Sequence, residues 1–303
     1  MTDRARKILV FGAGGQVGRE LIQRPVPAGF AVAGLARAEG DITDRAAVED
    51  AVRRHRPDMI VNAAAYTAVD KAESEPDRAF AANEDGARHL ASAAKDAGAV
   101  LVHFSTDYVF DGRKSDPYVE DDPVAPVSAY GRSKEAGERA VRATTPRHII
   151  LRTAWIYAAQ GHNFLRTMLR LAGERDLVRV VADQEGTPTC AADIADATLK
   201  ILTSLPDRKE PFGTFHLTNY GRTTWHGFAQ AIFGCLARRG ERIPRLEAIT
   251  TAEYPTPARR PAMSALDCGK IECAYGIRLR PWEAAAAETI DTMLAANMER
   301  GAA

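Results

Sequence analysis

Three glycines near the N-terminus constrain the fold of this chain more strongly than any other feature of its sequence. Gly12, Gly15 and Gly18 come directly after the apolar run 7–11, which is typical of a parallel strand buried on both faces. A helical pattern begins at residue 16. In such a strand–turn–helix the first glycine permits a tight turn, the second lets the backbone approach a pyrophosphate, and the third allows the helix to pack closely on the sheet. The spacing therefore predicts a dinucleotide-binding turn, with an ordinary glycine-rich connection as the alternative.

Strand-like and helical patterns alternate along the first 180 residues. The predicted strands are 7–11, 31–35, 59–62, 100–105, 148–152 and 178–181, and the predicted helices are 16–23, 44–55, 76–97, 130–143 and 163–173. This alternation predicts an α/β fold with a doubly wound, Rossmann-like parallel sheet, so we expect residues 1–180 to form a dinucleotide-binding domain. Over residues 181–303 the alternation gives way to helices and proline-containing loops. We expect a smaller, mainly helical substrate-binding lobe there, with some interleaving of segments.

Charge, apolar runs and cysteine content argue against several classes of protein. Lysine and arginine together number 40 and so do aspartate and glutamate, so no overall field attracts nucleic acid or anionic lipid. Apolar runs such as 149–151 are too short to span a bilayer. The four cysteines lack C-x-x-C spacing and the seven histidines form no metal-binding motif. We predict a cytoplasmic protein without nucleic-acid or membrane partners and without a bound metal.

The end of the second predicted strand indicates which dinucleotide is preferred. NAD enzymes usually place an acid there to hold the ribose 2′-hydroxyl, whereas NADP enzymes place an arginine near the 2′-phosphate. Here the chain reads Gly34-Leu35-Ala36-Arg37, without an acid. We predict NADPH, with NADH possible, and Arg37 as the phosphate contact; a solvated surface arginine is the alternative. Asp41 and Ile42 are expected to bracket the adenine, and Asn62-Ala63-Ala64-Ala65 leaves room for a cofactor at the strand ends.

The candidate catalytic residues follow the fourth predicted strand. Tyr130 and Lys134 are spaced i and i+4, so they share one face of a helix. A free tyrosine has a pKa near 10, and a neighbouring ammonium would stabilise its anion and lower that value. We predict Tyr130 as the proton donor in carbonyl reduction, and Lys134 as its partner and as a donor to the nicotinamide ribose. Thr106 would orient the tyrosine and the carbonyl; a chance tyrosine–lysine pair is the alternative.

In this order the motifs resemble those of the extended short-chain dehydrogenase/reductases, and within them most closely those of the dTDP-4-dehydrorhamnose reductases. The matching stretches cover nearly the whole chain. They are residues 12–18, 62–76, 105–112, 130–134, 152–157, 163–164, 183–189 and 260–264.

The resemblance implies a reaction and a set of site residues. It implies hydride transfer to the 4-keto group of dTDP-4-dehydro-L-rhamnose, giving dTDP-L-rhamnose, with Tyr130 as proton donor, Lys134 as its partner and Thr106 tuning it. The substrate contacts carried over are Thr106, Asp107 and Trp155. The cofactor positions carried over are Gly15, Gln16, Val17, Asp41, Ile42, Ala65, Tyr66 and Thr67.

At two positions the sequence departs from the family pattern, and a third position bears on metal binding. Ala36 stands where many relatives carry an acid, which favours NADPH, and Met263 stands where relatives often have asparagine. Some relatives dimerise through magnesium held by glutamates, and Glu20 matches one such position. Since a glutamate early in a surface helix is commonplace, we expect no metal there and leave a monomer or a homodimer open.

Three alternatives stay open from the sequence. Trp155 can stack on a substrate or fill the core. The chain can also be an epimerase or dehydratase of the extended group, although dehydratases generally place a second acid where Tyr108 follows Asp107 here. Finally, it can be a regulatory subunit that binds the cofactor without turnover. The combination of Thr106, Tyr130 and Lys134 favours a reductase.

Overall fold

A computed structural model describes residues 4–205 and 212–301, and a six-stranded parallel sheet lies at its centre. The strands, in chain order, are β1 (Arg6–Phe11), β2 (Phe30–Leu35), β3 (Met59–Asn62), β4 (Val100–Thr106), β5 (His148–Thr153), β6 (Ile156–Tyr157), β7 (Leu177–Val181), β8 (Glu185–Gly186), β9 (Thr189–Cys190), β10 (Gly213–His216), β11 (Thr223–Thr224) and β12 (Arg245–Ile249). The central sheet has the order β10-β5-β4-β3-β1-β2, and each neighbouring pair is parallel.

Helices cover both faces of this sheet. They are α1 (Gln16–Gln23), α2 (Arg45–His55), α3 (Pro76–Phe80), α4 (Gly86–Asp96), α5 (Ala129–Thr144), α6 (Phe164–Glu174), α7 (Ala191–Ser204), α8 (Trp225–Ala237), α9 (Gly269–Tyr275) and α10 (Trp282–Gly301). Alternate residues of β1 enter different cores: Ile8 and Val10 pack with α1 and α7, and Leu9 and Phe11 pack with α2 and α4. This two-sided burial explains the continuous apolar run and confirms the predicted doubly wound sheet.

The structure corrects one predicted strand and adds another. The segment 178–181 is extended, but β7 pairs with β12 in a separate two-stranded sheet instead of joining the central one. The sixth central strand is β10, which pairs with β5. Four residues with the sequence Gly-Thr-Phe-His carry too little hydrophobic pattern to reveal this in advance. The central sheet thus draws on both sides of residue 180, and the proposed domain boundary stays a prediction.

The predicted helix 76–97 contains a π-helical turn at Ala81–Asp85. Such turns reposition side chains and are frequent near functional sites. Here Asn83 is buried; its Oδ1 accepts from the Tyr66 N–H at 2.9 Å, and its Nδ2 donates to Ser133 Oγ at 2.9 Å. Asn83 therefore ties the loop after β3 to helix α5.

Two glycines let α5 approach its neighbours closely. Ser128 caps the helix by accepting from the Gly131 N–H at 3.1 Å. A Cβ on Gly131 would lie 2.2 Å from the Tyr108 carbonyl oxygen, and a Cβ on Gly137 would lie 2.1 Å from the Asn83 carbonyl oxygen. A side chain at either glycine would collide with one of these carbonyl oxygens and would push α5 away from its neighbours. The two glycines therefore set the position of α5.

We expect Gly137→Ala to lower the free energy of unfolding by about 1–3 kcal/mol, because the methyl group must push α5 away from Asn83. Urea titration measures the change. Gly173→Ala in α6 is the matched control, since nothing lies within 4 Å of a Cβ at that position. Equal stability of the two variants would contradict the close-approach argument.

Among the described residues, no helix combines the length and apolar character needed to cross a bilayer.

Candidate active site

A cleft of about 420 Å³ opens at the carboxyl ends of β1, β2 and β3. Its lining includes most of the residues predicted to bind a dinucleotide: Gly12, Gly15, Arg37, Asp41, Ile42, Ala64, Ala65 and Tyr66. In open α/β sheets ligands bind outside the carboxyl ends of the strands, so the cleft lies where the fold predicts a ligand.

The turn between β1 and α1 has the geometry expected of an anion site. Gly12 has φ of +82°, and a Cβ on Gly18 would lie 2.1 Å from the Gly12 carbonyl oxygen. Gly15 is the N-cap of α1, and no side chain caps the first turn. The N–H groups of that turn therefore face the cleft with the positive end of the helix dipole behind them.

Two arginines border the opposite part of this cleft. The Arg37 side chain is 78% exposed, and its Nε donates to Asp41 Oδ2 at 3.0 Å. Burial alone would raise the pKa of Asp41, but hydrogen bonds from Thr43 and Arg37 outweigh it and lower that pKa. Arg78, which sequence reasoning missed, also lines the cleft and lies over the Tyr66 ring. Arg78 also donates to Glu75 Oε2 at 2.7 Å, so a phosphate would share both guanidinium groups with a neighbouring carboxylate.

Four predicted cofactor residues lie differently from the rest. Val17 is 8% exposed and packs in the core, so only its backbone is available to a ligand. Ile42 lines the cleft but is itself mostly buried, against Gly86. Thr67 lines a second pocket next to the first, together with Gln16.

This second pocket, of about 500 Å³, brings together the residues predicted to act on the substrate. Thr106, Asp107, Tyr130 and Trp155 all line it. They come from the end of β4, the start of α5 and the segment after β5. Gln16, from the glycine turn, lines the same pocket, so the candidate catalytic residues adjoin the candidate cofactor cleft.

Lys134 lies behind this pocket and outside its lining. It is 3% exposed, and its Nζ donates to the Phe104 carbonyl oxygen at 2.6 Å. Burial lowers the pKa of Lys134 to about 8, while the Glu138 charge acts in the opposite direction.

The predicted lowering of the tyrosine pKa by Lys134 is wrong for this structure. Burial raises the pKa of Tyr130 to about 12, and the Thr106 hydroxyl is the neighbour that acts to lower it. The physical reason is desolvation, which disfavours a phenolate in a closed site. The spacing of i and i+4 placed both residues on one helical face but carried no information about how deeply they are buried.

Asp107 lines the pocket, and one of its two carboxyl oxygens is buried without a hydrogen-bond partner among the described residues. The residue is 2% exposed; its Oδ1 accepts from Thr106 Oγ1 at 2.9 Å, and its Oδ2 is the oxygen that has no partner among the described residues. Burial raises the pKa of Asp107 to about 7, against the effect of the Ser264 and Thr106 hydroxyls. Such an oxygen requires a partner from a ligand or from water.

Trp155 combines the two roles that the sequence left open. Its ring stacks on Trp225, with centroids 3.6 Å apart and 7° between the planes, yet it also lines the pocket. Its φ of +43° is in the left-handed region, which costs a non-glycine residue about 1–3 kcal/mol. Gly186 accommodates the ring edge, because a Cβ there would lie 2.4 Å from Trp155 Cε2.

The structure adds an ion pair to the lining of the pocket. Arg260 donates from Nη1 to Asp70 Oδ1 at 3.0 Å and from Nη2 to Asp70 Oδ2 at 2.8 Å. Both residues line the pocket with His162 and Trp225. No spacing rule pairs residues 190 positions apart, so only the resemblance around residues 70 and 260 pointed to them.

Comparison with known proteins agrees with this arrangement. The family model described as the RmlD substrate binding domain matches residues 6–295. The dTDP-4-dehydrorhamnose reductase of Sinorhizobium fredii is 46% identical over 279 residues, covering 91% of this chain and 94% of that protein.

Two solved structures are similar over nearly their full length. The dTDP-4-dehydrorhamnose reductase of Clostridium acetobutylicum matches with a TM-score of 0.89 at 39% identity, covering 95% of this chain and 99% of that one. The enzyme of the same name from Bacillus anthracis, in complex with NADP, matches with a TM-score of 0.87 at 34% identity and the same coverage. Together with the family match, this similarity shows that the chain belongs to the RmlD family of dTDP-4-dehydrorhamnose reductases.

Proposed function

We propose that this chain reduces the 4-keto group of dTDP-4-dehydro-L-rhamnose to dTDP-L-rhamnose, using NADPH. The observation that carries the proposal is the junction of two pockets: Tyr130, Thr106 and Asp107 line one, and Gln16 connects it to the glycine turn that borders the other. A proton donor thus lies beside a site shaped for a dinucleotide. That juxtaposition is what carbonyl reduction requires.

The residues present fit a nicotinamide dinucleotide. The uncapped first turn of α1 suits its pyrophosphate, and the small residues Ala64 and Ala65 leave space at the end of β3. Arg37 and Arg78 suit a 2′-phosphate, which would compete with Asp41 and Glu75, their present partners; the first two positions after β2, Ala36 and Arg37, carry no acid. When bound, the cofactor supplies the hydride for the sugar C4.

Tyr130 donates the proton that completes the alcohol. Because burial raises its pKa to about 12, the phenol stays protonated throughout the neutral range and is ready to donate. Thr106 orients it, and its own hydroxyl donates to Asp107. A negative charge developing on the substrate oxygen is a stronger proton acceptor than water, so the raised pKa does not prevent donation in the reacting complex.

Lys134 contributes a buried positive charge behind the tyrosine. One of its three N–H donors goes to the Phe104 carbonyl, which leaves two for the ribose hydroxyls of a bound nicotinamide.

Asp107 accepts from or donates to a sugar hydroxyl, and Trp155 packs on the sugar or the base. The carboxyl groups at this pocket are Asp70, held by Arg260, and Asp107. The second acid expected beside Thr106 in a dehydratase is absent, because Tyr108 follows Asp107.

Four cysteines without disulfide partners accord with a reducing compartment. We therefore include a cytoplasmic location in the proposal, with a monomer or a homodimer as the assembly.

We expect the wild-type protein to oxidise NADPH when it is given dTDP-4-keto-6-deoxyglucose and a 3,5-epimerase, with dTDP-L-rhamnose as product. Tyr130→Phe removes the proton donor and should lower kcat by about 10²–10⁴-fold. NADPH absorbance and chromatography of the product measure both effects.

Tyr157→Phe is the matched control for that variant. The Tyr157 hydroxyl is buried, lies away from both pockets and has no hydrogen-bond partner among the described residues, so its loss should leave the rate unchanged. No NADPH oxidation by the wild-type protein would refute the proposed reaction. Full activity of Tyr130→Phe would refute only the role of the tyrosine.

Arg37→Ala should raise the KM for NADPH about tenfold and change the KM for NADH little, because only NADPH carries a phosphate at that position. Steady-state kinetics with each cofactor provide the test. Arg45→Ala is the control, since Arg45 forms a similar exposed i,i+4 ion pair, with Glu49, outside the cleft. Equal losses with both cofactors would exclude Arg37 as the phosphate contact.

A further inference from the structure

Helix α5 carries a third polar residue on the face that holds Tyr130 and Lys134. Glu138 follows Lys134 by four positions, one further turn along the helix. Its side chain is completely buried. A buried carboxylate is costly unless its charge is matched, so its partners must explain its presence.

Those partners belong to the two strands that carry the active site. Glu138 Oε1 accepts from Ser105 Oγ at 2.6 Å and from Arg152 Nε at 2.9 Å, and Oε2 accepts from Arg152 Nη2 at 2.8 Å. Ser105 immediately precedes Thr106 in β4, and Arg152 immediately precedes Thr153 in β5. The carboxylate therefore fastens α5 to both strands where they reach the substrate pocket, which Ser105 and Thr153 line.

The charge of Glu138 also reaches Lys134. It is the neighbour that opposes the lowering of the lysine pKa by burial. Other titratable groups face this cluster from every side: Tyr130, Glu135 and Arg142 on α5, His103 on β4, His148 on β5, His216 on β10, and Glu120 in the loop before α5. Burial keeps these histidines neutral by lowering their pKa values, that of His216 to about 3, so none supplies a compensating charge. Arg142 and Arg152 both bind Glu138 directly.

We propose that Glu138 is a positioning residue of the active site: its bonds to Ser105 and Arg152 hold α5 against β4 and β5 beside Thr106, and its carboxylate places a negative charge one helical turn from the buried Lys134. The importance of Lys134 rests on the proposed function, but the effect of Glu138 on Lys134 does not. It exists in the free protein and is measurable there without substrate or cofactor.

The test follows the titration of Lys134 in cofactor-free protein by NMR of ¹³Cε-labelled lysine, with Lys134→Arg to assign the resonance. Glu138→Gln removes the negative charge and keeps the shape of the side chain. We expect the Lys134 midpoint to fall by about one pH unit, because the ammonium loses its stabilising neighbour. The pH–rate profile for NADPH oxidation should lose activity at correspondingly lower pH, with kcat falling more than KM rises.

Asp193→Asn supplies a matched control. Asp193 also forms a two-bonded ion pair with an arginine, at 2.9 Å to both Nε and Nη2 of Arg280, but in α7 and away from Lys134. It should lower the melting temperature as Glu138→Gln does, yet leave the Lys134 midpoint unchanged. Glu138→Asp keeps the charge and should return the midpoint toward that of the wild type.

If Glu138→Gln does not fold, the double variant Glu138→Gln, Arg152→Gln replaces it and is compared with Arg152→Gln alone, so that the two proteins differ only in the charge at residue 138. A Lys134 midpoint equal to that of the matching reference, the wild type or Arg152→Gln, would overturn the proposal. So would an equal shift in Asp193→Asn. If no ketosugar is reduced, the proposed function fails, while the titration still decides the role of Glu138.

Discussion

The close packing of α5 against the end of β4 is the constraint on which the rest of the active site depends. Gly131 allows this approach, because the carbonyl oxygen of Tyr108, just after β4, occupies the space that a larger residue would need; Gly137 allows α5 to approach Asn83 in the π-helical turn in the same way. The approach places Tyr130 beside Thr106 at the carboxyl edge of the sheet. The glycine turn after β1 reaches the same edge, so the topology of a doubly wound sheet brings the proposed proton donor and the candidate dinucleotide cleft together.

In this site, burial shifts the pKa values of Tyr130 and Lys134 more than the interaction between the two side chains does. The Tyr130 pKa rises and the Lys134 pKa falls, both because the charged forms are poorly solvated. A phenol that stays protonated and an ammonium supported by Glu138 form a reductase site at neutral pH. The Glu138–Arg152 ion pair links this charge balance to the geometry of α5, because the same carboxylate contacts β4 and β5.

Local pattern was sufficient to predict most of the fold and much of the site. The strands β1 and β3, the helix α2 and the turn between β1 and α1 are short-range features, and all were predicted correctly. The strand β10 and the pairing of β7 with β12 were not predicted. Whether a four-residue segment forms a strand, and which strand it pairs with, depends on tertiary packing. The same holds for the pairs Asp70–Arg260 and Trp155–Trp225, whose members are far apart in sequence. Sequence spacing also carries no measure of desolvation, which is why the expected pKa of Tyr130 was wrong.

The most direct test of this account follows a label from the cofactor to the sugar. Substrate is supplied as above with NADPH deuterated at the transferring position of nicotinamide C4, and the product is analysed by mass spectrometry and NMR. The account predicts one deuterium at C4 of the deoxysugar for each NADPH consumed. A product without deuterium at C4, or a sugar converted without net consumption of NADPH, would contradict it.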